Sequence, residues 1–210
     1  SHKLGFVAIV AAGSTWDLFS KARVFDWFPP GPGNVGGPIH RLPGGWVTFQ
    51  LKVSFNAGAL FGMGQGLTWL FALLSLFAVA GVLYWMFGLK AGRSRWLTLA
   101  LALILAGTLG NLYDRLGLHG WKDFEGQQLF AVRDFLLFTF GRFSYPVFNF
   151  ADVFLVTGAV MLILKSFGRE EGEEEGDGKE EGDGKEDGDG KEAEEEEGEG
   201  EEAEEGEEAD

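Results

Sequence analysis

From Gly66 to Gly88 the chain reads GLTWLFALLSLFAVAGVLYWMFG, with no charged side chain. About 20 apolar residues, at 1.5 Å each, are what an α-helix needs to cross a hydrocarbon layer about 30 Å thick. Backbone polar groups in lipid must be satisfied within the segment itself, which a helix does and an open strand does not. That stretch makes the chain a membrane protein, and the remaining sequence has to be organised around a bilayer.

Two further segments fit the same requirement: WLTLALALILAGTLGNLY, Trp96–Tyr113, and VFNFADVFLVTGAVMLILKSF, Val147–Phe167. A fourth, from about Leu4 to residue 23, is apolar but carries Asp17 and Lys21. A cleaved signal peptide would also begin this way. Because membrane-like sequence continues beyond the small residues Ala11, Ala12 and Gly13, a retained span is expected, with Ser1 and His2 set aside. The expected fold is a mainly α membrane domain over residues 3–167, with spans at about 4–23, 66–88, 96–113 and 147–167. An outward β and loop region covers 24–65, and an outward loop or helix covers 114–146.

Basic residues in short connections set orientation. Lys90, Arg93 and Arg95 crowd the link between the second and third spans, Lys165 and Arg169 follow the last, and Lys3 precedes the first. Those ends, and so both termini, are expected in the cytoplasm. In the longer outward connection, PPGPGNVGGPIHRLPGG (Pro29–Gly45) has loop composition. VTFQLKVSF (Val47–Phe55) then alternates apolar and polar with the period of a half-buried strand. A small extracytoplasmic sheet at the membrane surface follows.

The low sequence pI of 4.6 belongs to one end of the chain. Glu170–Asp210 holds 25 acidic residues and 3 lysines, whereas residues 1–169 hold 7 acids and 14 Lys plus Arg. With GDGKE recurring and no apolar face, residues 168–210 are expected to form a disordered acidic tail. The chain has no cysteine, which excludes disulfides, thiol nucleophiles and thiolate metal sites. His2, His40 and His119 lie far apart, so no metal or cofactor is expected.

The seven acids outside the tail are Asp17, Asp26, Asp114, Asp123, Glu125, Asp134 and Asp152. In the expected topology all fall at the outer face. That argues for polar work at an interface and against a proton path through the bilayer. Asn149 and Asp152 are i, i+3; Asn111 has Asp114 at i+3 and Arg115 at i+4; Asp17 and Lys21 are i, i+4. Each set therefore shares a helix face. From the residues alone, Asp134 and Asp152 are either helix caps or a catalytic pair, and the asparagines are interhelical hydrogen-bond partners or site residues. Ala106 and Gly110 form a small-xxx-small packing seam.

GNLYDR (Gly110–Arg115), VRDF (Val132–Phe135) and PVFNFAD (Pro146–Asp152), in that order, resemble the motifs of the lipoprotein signal peptidases, or signal peptidase II. DLFSK (Asp17–Lys21) and VSFNAGALFG (Val53–Gly62) resemble two more, and the likeness covers about residues 4–167. The resemblance implies a four-span aspartyl endopeptidase of the bacterial inner membrane, with an outward β-cradle and a further helix over the active site. It implies Asp134 and Asp152 as the catalytic dyad. Asn111, Arg115, Asn149, Asn56, Asp17 and Lys21 are implied as substrate-binding or supporting residues, and Asp114 as structural. The implied substrate is a diacylglyceryl-modified prolipoprotein, cleaved before its lipidated cysteine, by an enzyme that works as a monomer without nucleic acid or cofactor. Two features depart from the family: the acidic tail, and a long interval, 116–131, that contains a second candidate in WKDF. Asp134 is preferred to Asp123 because it leads into the last span by an apolar run, 18 residues before Asp152. The alternative from another functional class is a non-enzymatic four-span transport or assembly subunit with structural polar residues.

Overall fold

The computed structural model describes residues 2–31, 36–58, 64, 66–89 and 94–177, with side chains to 167. It divides into two units, Ser1–Glu170 and Glu171–Asp210, and the fold described below is that of the first. Helix α1 covers His2–Trp27. Strands β1 (His40–Arg41) and β2 (Val47–Asn56) follow, then helices α2 (Thr68–Leu83) and α3 (Arg95–Arg115). Strands β3 (Val132–Phe140) and β4 (Phe143–Ser144) precede helix α4, Phe150–Asp177. A π-helical turn, Tyr84–Gly88, extends α2.

Among the described residues three helices are long and apolar enough to cross a membrane: Thr68–Gly88, Arg95–Arg115 and Phe150–Phe167. Only 17% and 11% of the apolar windows of the first and last are buried, against 61% for α3. Leu74 and Phe77 on α2, with Val156, Ile163 and Leu164 on α4, point outward. Apolar patches of this extent mark contact with another apolar phase, here lipid. Helix α3 is the hub. Its Leu101, Ala102 and Leu105 pack with Phe6 of α1, Val82 of α2 and Met86 of the π turn. Small residues let backbones approach. A Cβ on Gly107 would strike the Ala151 carbonyl oxygen of α4, one on Gly158 would lie 2.7 Å from the Ala100 carbonyl oxygen, and one on Gly13 would meet Ala106 Cβ at 2.9 Å.

The sheet has the order β1-β2-β3-β4, antiparallel throughout. A register shift between Leu51 and Ser54 of β2 realigns it so that Ser54 faces Asp134. One side of the sheet closes over Val24 and Phe25 of α1, where Phe49, Leu51, Val53, Phe55 and Trp121 pack with Phe135 and Leu136.

Two expectations are corrected. Residues 114–146, expected as loop or helix, contain β3 and β4. The run VRDFLLFTF reads as a lead-in to a span because Val132 to Leu136 are all buried. A strand covered on both faces has that same apolar pattern. At the other end α4 continues to Asp177, into the segment expected to be disordered, where glutamate is a good helix former. The tail beyond Asp177 lies outside the described residues, as do Ala59 to Met63 and the basic link Lys90–Arg93. Among the described residues no helix lies between β2 and α2, so the implied helix over the site is not among the elements above.

Gly107→Ala is expected to destabilise the protein by about 1–3 kcal/mol, since α3 and α4 must separate. Gly81→Ala, whose Cβ would meet nothing within 4 Å, should be neutral or slightly stabilising. Thermal unfolding in detergent micelles compares the two; equal melting temperatures would refute the close-packed seam.

Candidate active site

A hairpin brings together residues that are far apart in sequence. Beyond β4 the chain turns back, and Phe148 pairs with Leu136. The Phe135 and Leu136 amides donate to the Phe148 carbonyl, and the Phe148 amide donates to Leu136. Asp134 lies two residues before Leu136, and Asn149 is the residue after Phe148. The 18-residue separation of Asp134 and Asp152 is thereby closed.

Asn149 caps α4. Its Oδ1 accepts from the Asp152 amide at 3.1 Å, while Asp152 Oδ2 accepts from the Asn149 amide at 3.1 Å. Such a reciprocal pair satisfies two amides that the first turn leaves without helical partners. The Asn149 side-chain NH2 is left free to work elsewhere. It donates to Asp134 Oδ1 at 2.6 Å and to Asn111 Oδ1 at 3.1 Å. Asn111 in turn donates to Asp152 Oδ1 at 2.9 Å, and Asn56 donates to Asp134 Oδ2 at 3.1 Å. Both carboxylates thus hang on one asparagine framework, with Asn149 fully buried, Asp134 2% exposed and Asp152 only half-buried. Burial, and then the neighbouring Asp152 carboxylate, push the Asp134 carboxyl up from 3.8 to about 7.

Beneath this framework lies a closed charge cluster. Lys21 Nζ forms ion pairs with Asp17 Oδ2 at 2.7 Å and Asp114 Oδ2 at 3.2 Å and donates to Asn111 Oδ1 at 2.9 Å. Its contact with Asp17 Oδ2 is an ion pair without directed hydrogen-bond geometry. Asp17 Oδ1 accepts from the Ala151 amide at 2.8 Å, placing a negative charge at the N-terminus of α4. Gly110 must lack a side chain there, because a Cβ would collide with the Asp17 carboxylate. Asp114 also receives Arg133, through its amide (3.0 Å), Nε (3.0 Å) and Nη2 (2.8 Å). Two acids and two bases balance, and all four side chains are buried.

Of the sequence candidates, Asn56, Asn111, Asn149, Asp134 and Asp152 form one hydrogen-bonded group, and Lys21 joins it through Asn111. Asp17 and Asp114 sit one step away. Arg115 stands apart, its guanidinium 5.7 Å from the centre of the Phe71 ring and within electrostatic range of Asp152 and Asp134. Asp123 lies in a loop of its own, where Oδ1 accepts from the Glu125 and Gln127 amides. Arg133 was missed as a site-supporting residue. Alternation along β3 points it away from Asp134, toward the buried acid, and only the pairing reveals this. His119 was also missed. Its Nδ1 accepts from the Trp121 amide and its Nε2 donates to the Ala131 carbonyl, tying the 116–131 loop to the start of β3. Beside Asp152 an apolar groove of about 450 Å³ runs between Phe138, Phe140, Tyr145 and Phe148 on one wall and Val153, Val156 and Thr157 on the other. Among the described residues no group of His and acids could hold a metal.

The model of a family described as signal peptidase (SPase) II matches residues 8–168. A lipoprotein signal peptidase of Rhodopirellula baltica is 40% identical over 177 residues, covering 82% of this chain and 77% of that one. Another, of Pseudomonas aeruginosa, is 37% identical over 130 residues, covering 60% of this chain and 70% of its own length. In fold the chain is similar to a bacterial membrane enzyme solved in meso at 2.3 Å resolution, with a TM-score of 0.61 and 20% identity, covering 86% of this chain and 94% of that one.

Lys21→Met would leave the Asp17 and Asp114 carboxylates buried without their shared cation. Losing one partner of a buried pair costs about 3–5 kcal/mol, so this variant should melt far below the wild type. Unfolding monitored by circular dichroism checks it; an unchanged melting temperature would remove the cluster's structural role.

Proposed function

The chain belongs to the signal peptidase II family, and from that premise we propose that Asp134 and Asp152 are the catalytic pair through which it acts. It is a membrane aspartyl peptidase that removes signal peptides from lipoprotein precursors, so the non-enzymatic alternative falls away. The observation that carries the residue assignment is the shared amide framework: Asn149 touches both carboxyl groups, and Asn111, which accepts from Asn149, donates to Asp152.

Two carboxyl groups so placed share one proton and titrate as a pair. Asp134, more deeply buried and raised to about 7, is the member that holds it at neutral pH. Asp152, the more open of the two, takes a proton from the attacking water. Asp134 donates to the scissile carbonyl oxygen, and collapse of the tetrahedral adduct passes a proton to the leaving amine. Asn56 and Asn149 hold Asp134 in place. Arg115 carries the positive charge on the open side of the site, suited to carbonyl oxygens of the extended substrate. Hydrocarbon of the substrate fits the groove beside Asp152, whose wall is aromatic and aliphatic. A substrate carrying diacylglycerol on the cysteine after the scissile bond meets both requirements, acyl chains in lipid and peptide bond at the polar rim.

The same proposal sets the topology. Helix α1, 26 residues long, is a fourth span, its Asp17 and Lys21 shielded by the cluster rather than facing lipid. Lys3, Arg95 and Lys165 then mark the cytoplasmic side of the bacterial inner membrane, with the dyad at the outer face. Nothing in this chemistry requires a second copy of the chain.

Asp134→Asn and Asp152→Asn are expected to remain folded and lose about 10²–10⁴ in cleavage rate, read by gel shift of a lipidated precursor. Asp123→Asn should retain near-normal turnover. If either dyad variant cleaves normally, the pair is misassigned. The rate should also fall as pH rises through about 7, where Asp134 loses the shared proton. Asn56→Ala removes a donor that favours the ionised carboxylate, so its falling limb should move to higher pH; a shift the other way would contradict the assignment of the proton. The native state keeps a proton that an unfolded chain releases near 3.8, so this group's contribution to stability declines from about pH 4 to about pH 7.

A further inference from the structure

The end of the sheet farthest from the dyad has a composition that catalysis does not explain. IHRLPGGW (Ile39–Trp46) and FGRFSY (Phe140–Tyr145) contain two arginines, four aromatic residues besides His40 and no acid. Pairing of Val47 with Phe140, and of Phe140 with Phe143, brings the two segments to one edge. The Gly141 amide donates to the Trp46 carbonyl at 2.8 Å, and the Trp46 and Phe140 rings lie 6.0 Å apart. Ile39, Trp46 and Phe143 are 64%, 66% and 58% exposed. Arg41 and Arg142 stand beside them, also exposed, and among the described residues neither is in an ion pair. Asp134 faces Ser54 at the other end of β3, about 20 Å away at 3.3 Å per residue.

The groove shows at what depth this edge lies. Phe138 and Phe140 face Val153, Val156 and Thr157 of α4. Those residues are inside the apolar window Phe150–Phe167, and Thr157 lies about 7–8 Å along the helix beyond Asp152. The strand end therefore hangs beside α4 at the boundary of the hydrocarbon instead of standing clear of it. Trp favours that zone, apolar side chains beside it bury into the acyl boundary, and guanidinium groups there reach the phosphates, which they bind in a planar fork.

We propose that this edge, with Ile39, Trp46 and Phe143 as apolar anchors, is seated in the leaflet on the active-site side, and that Arg41 and Arg142 hold phosphate groups of anionic phospholipids. Such a seat fixes the height of β3, and with it Asp134, relative to the bilayer before substrate arrives. It rests on α4 spanning the membrane and not on the catalytic assignment.

The chain has no cysteine, so Phe143→Cys can carry a single fluorescent label, with Phe77→Cys on α2 as a deep reference. The full chain is reconstituted into phosphatidylcholine vesicles with or without phosphatidylglycerol, and lipid-borne nitroxides at headgroup or acyl-tail depth quench the label. Cleavage by each labelled variant in detergent confirms that it is folded. The label at 143 should be quenched several-fold more by the shallow nitroxide than by the deep one, with the reverse at 77. A shallow nitroxide carried on phosphatidylglycerol should quench more strongly than one on phosphatidylcholine, and Arg41→Gln with Arg142→Gln should abolish that excess. The attraction to an anionic surface corresponds to about a five-fold local enrichment per guanidinium. A label at 143 quenched by aqueous iodide and by neither nitroxide would overturn the proposal, leaving that edge in water or against a protein. Equal quenching by both lipid carriers would overturn the phosphate contact.

Discussion

A single amide side chain, that of Asn149, holds the site together. Its oxygen closes the first turn of α4, and its nitrogen spans Asp134 and Asn111. Helix capping and placement of the carboxyl pair are therefore one set of hydrogen bonds. A cap is worth about 1 kcal/mol in ordinary helices. Here it also decides where the Asp152 carboxylate points, because Asp152 completes the reciprocal cap with one oxygen and offers the other to Asn111. Asp152 caps the helix through one oxygen and meets Asn111 through the other, so the proposed site role does not compete with the cap.

The asparagine framework could not keep its geometry on an unsatisfied foundation. Below it, Lys21 joins α1 to α3, and Arg133 joins α3 to β3, both through Asp114. Burying ions costs several kcal/mol each unless every one is paired and hydrogen-bonded. The cluster meets that condition by having as many positive as negative groups, with hydrogen bonds from Lys21 to Asn111, from Arg133 to Asp114 and from the Ala151 amide to Asp17. Its value is in position more than in net stability, since it fixes three elements at the level where α4 begins. Glycines make this possible. Gly110 leaves room for Asp17 and Gly107 for the Ala151 carbonyl, so α3 and α4 come close enough for Asn111 to reach Asp152.

Much of this was legible in the sequence, for identifiable reasons. The apolar run of α2 has no other fold in which its backbone and side chains are both satisfied in lipid. The alternation of Val47–Phe55 has one period, and it is a strand. The i, i+3 spacing of Asn149 and Asp152 gave a shared helix face, which is what a reciprocal cap requires. Residues 132–140 were opaque because a strand buried on both faces and the start of a span have the same apolar text. Arg133 was opaque because its partner, Asp114, is contributed by another element. The extension of α4 past Phe167 was hidden by a composition that suits an exposed helix as well as a coil.

What the sequence determined alone is whatever depends on local chemistry: which segments prefer lipid and which polar residues share a helix face. Tertiary structure decided which acids are brought onto one asparagine framework. The pairing of Phe148 with Leu136 sets Asn149 beside Asp134, and close approach of α3 sets Asn111 beside Asp152. Neither could be read from spacing, because hydrogen bonds between elements act over about 3 Å, a distance fixed only when helices, strand and hairpin have packed.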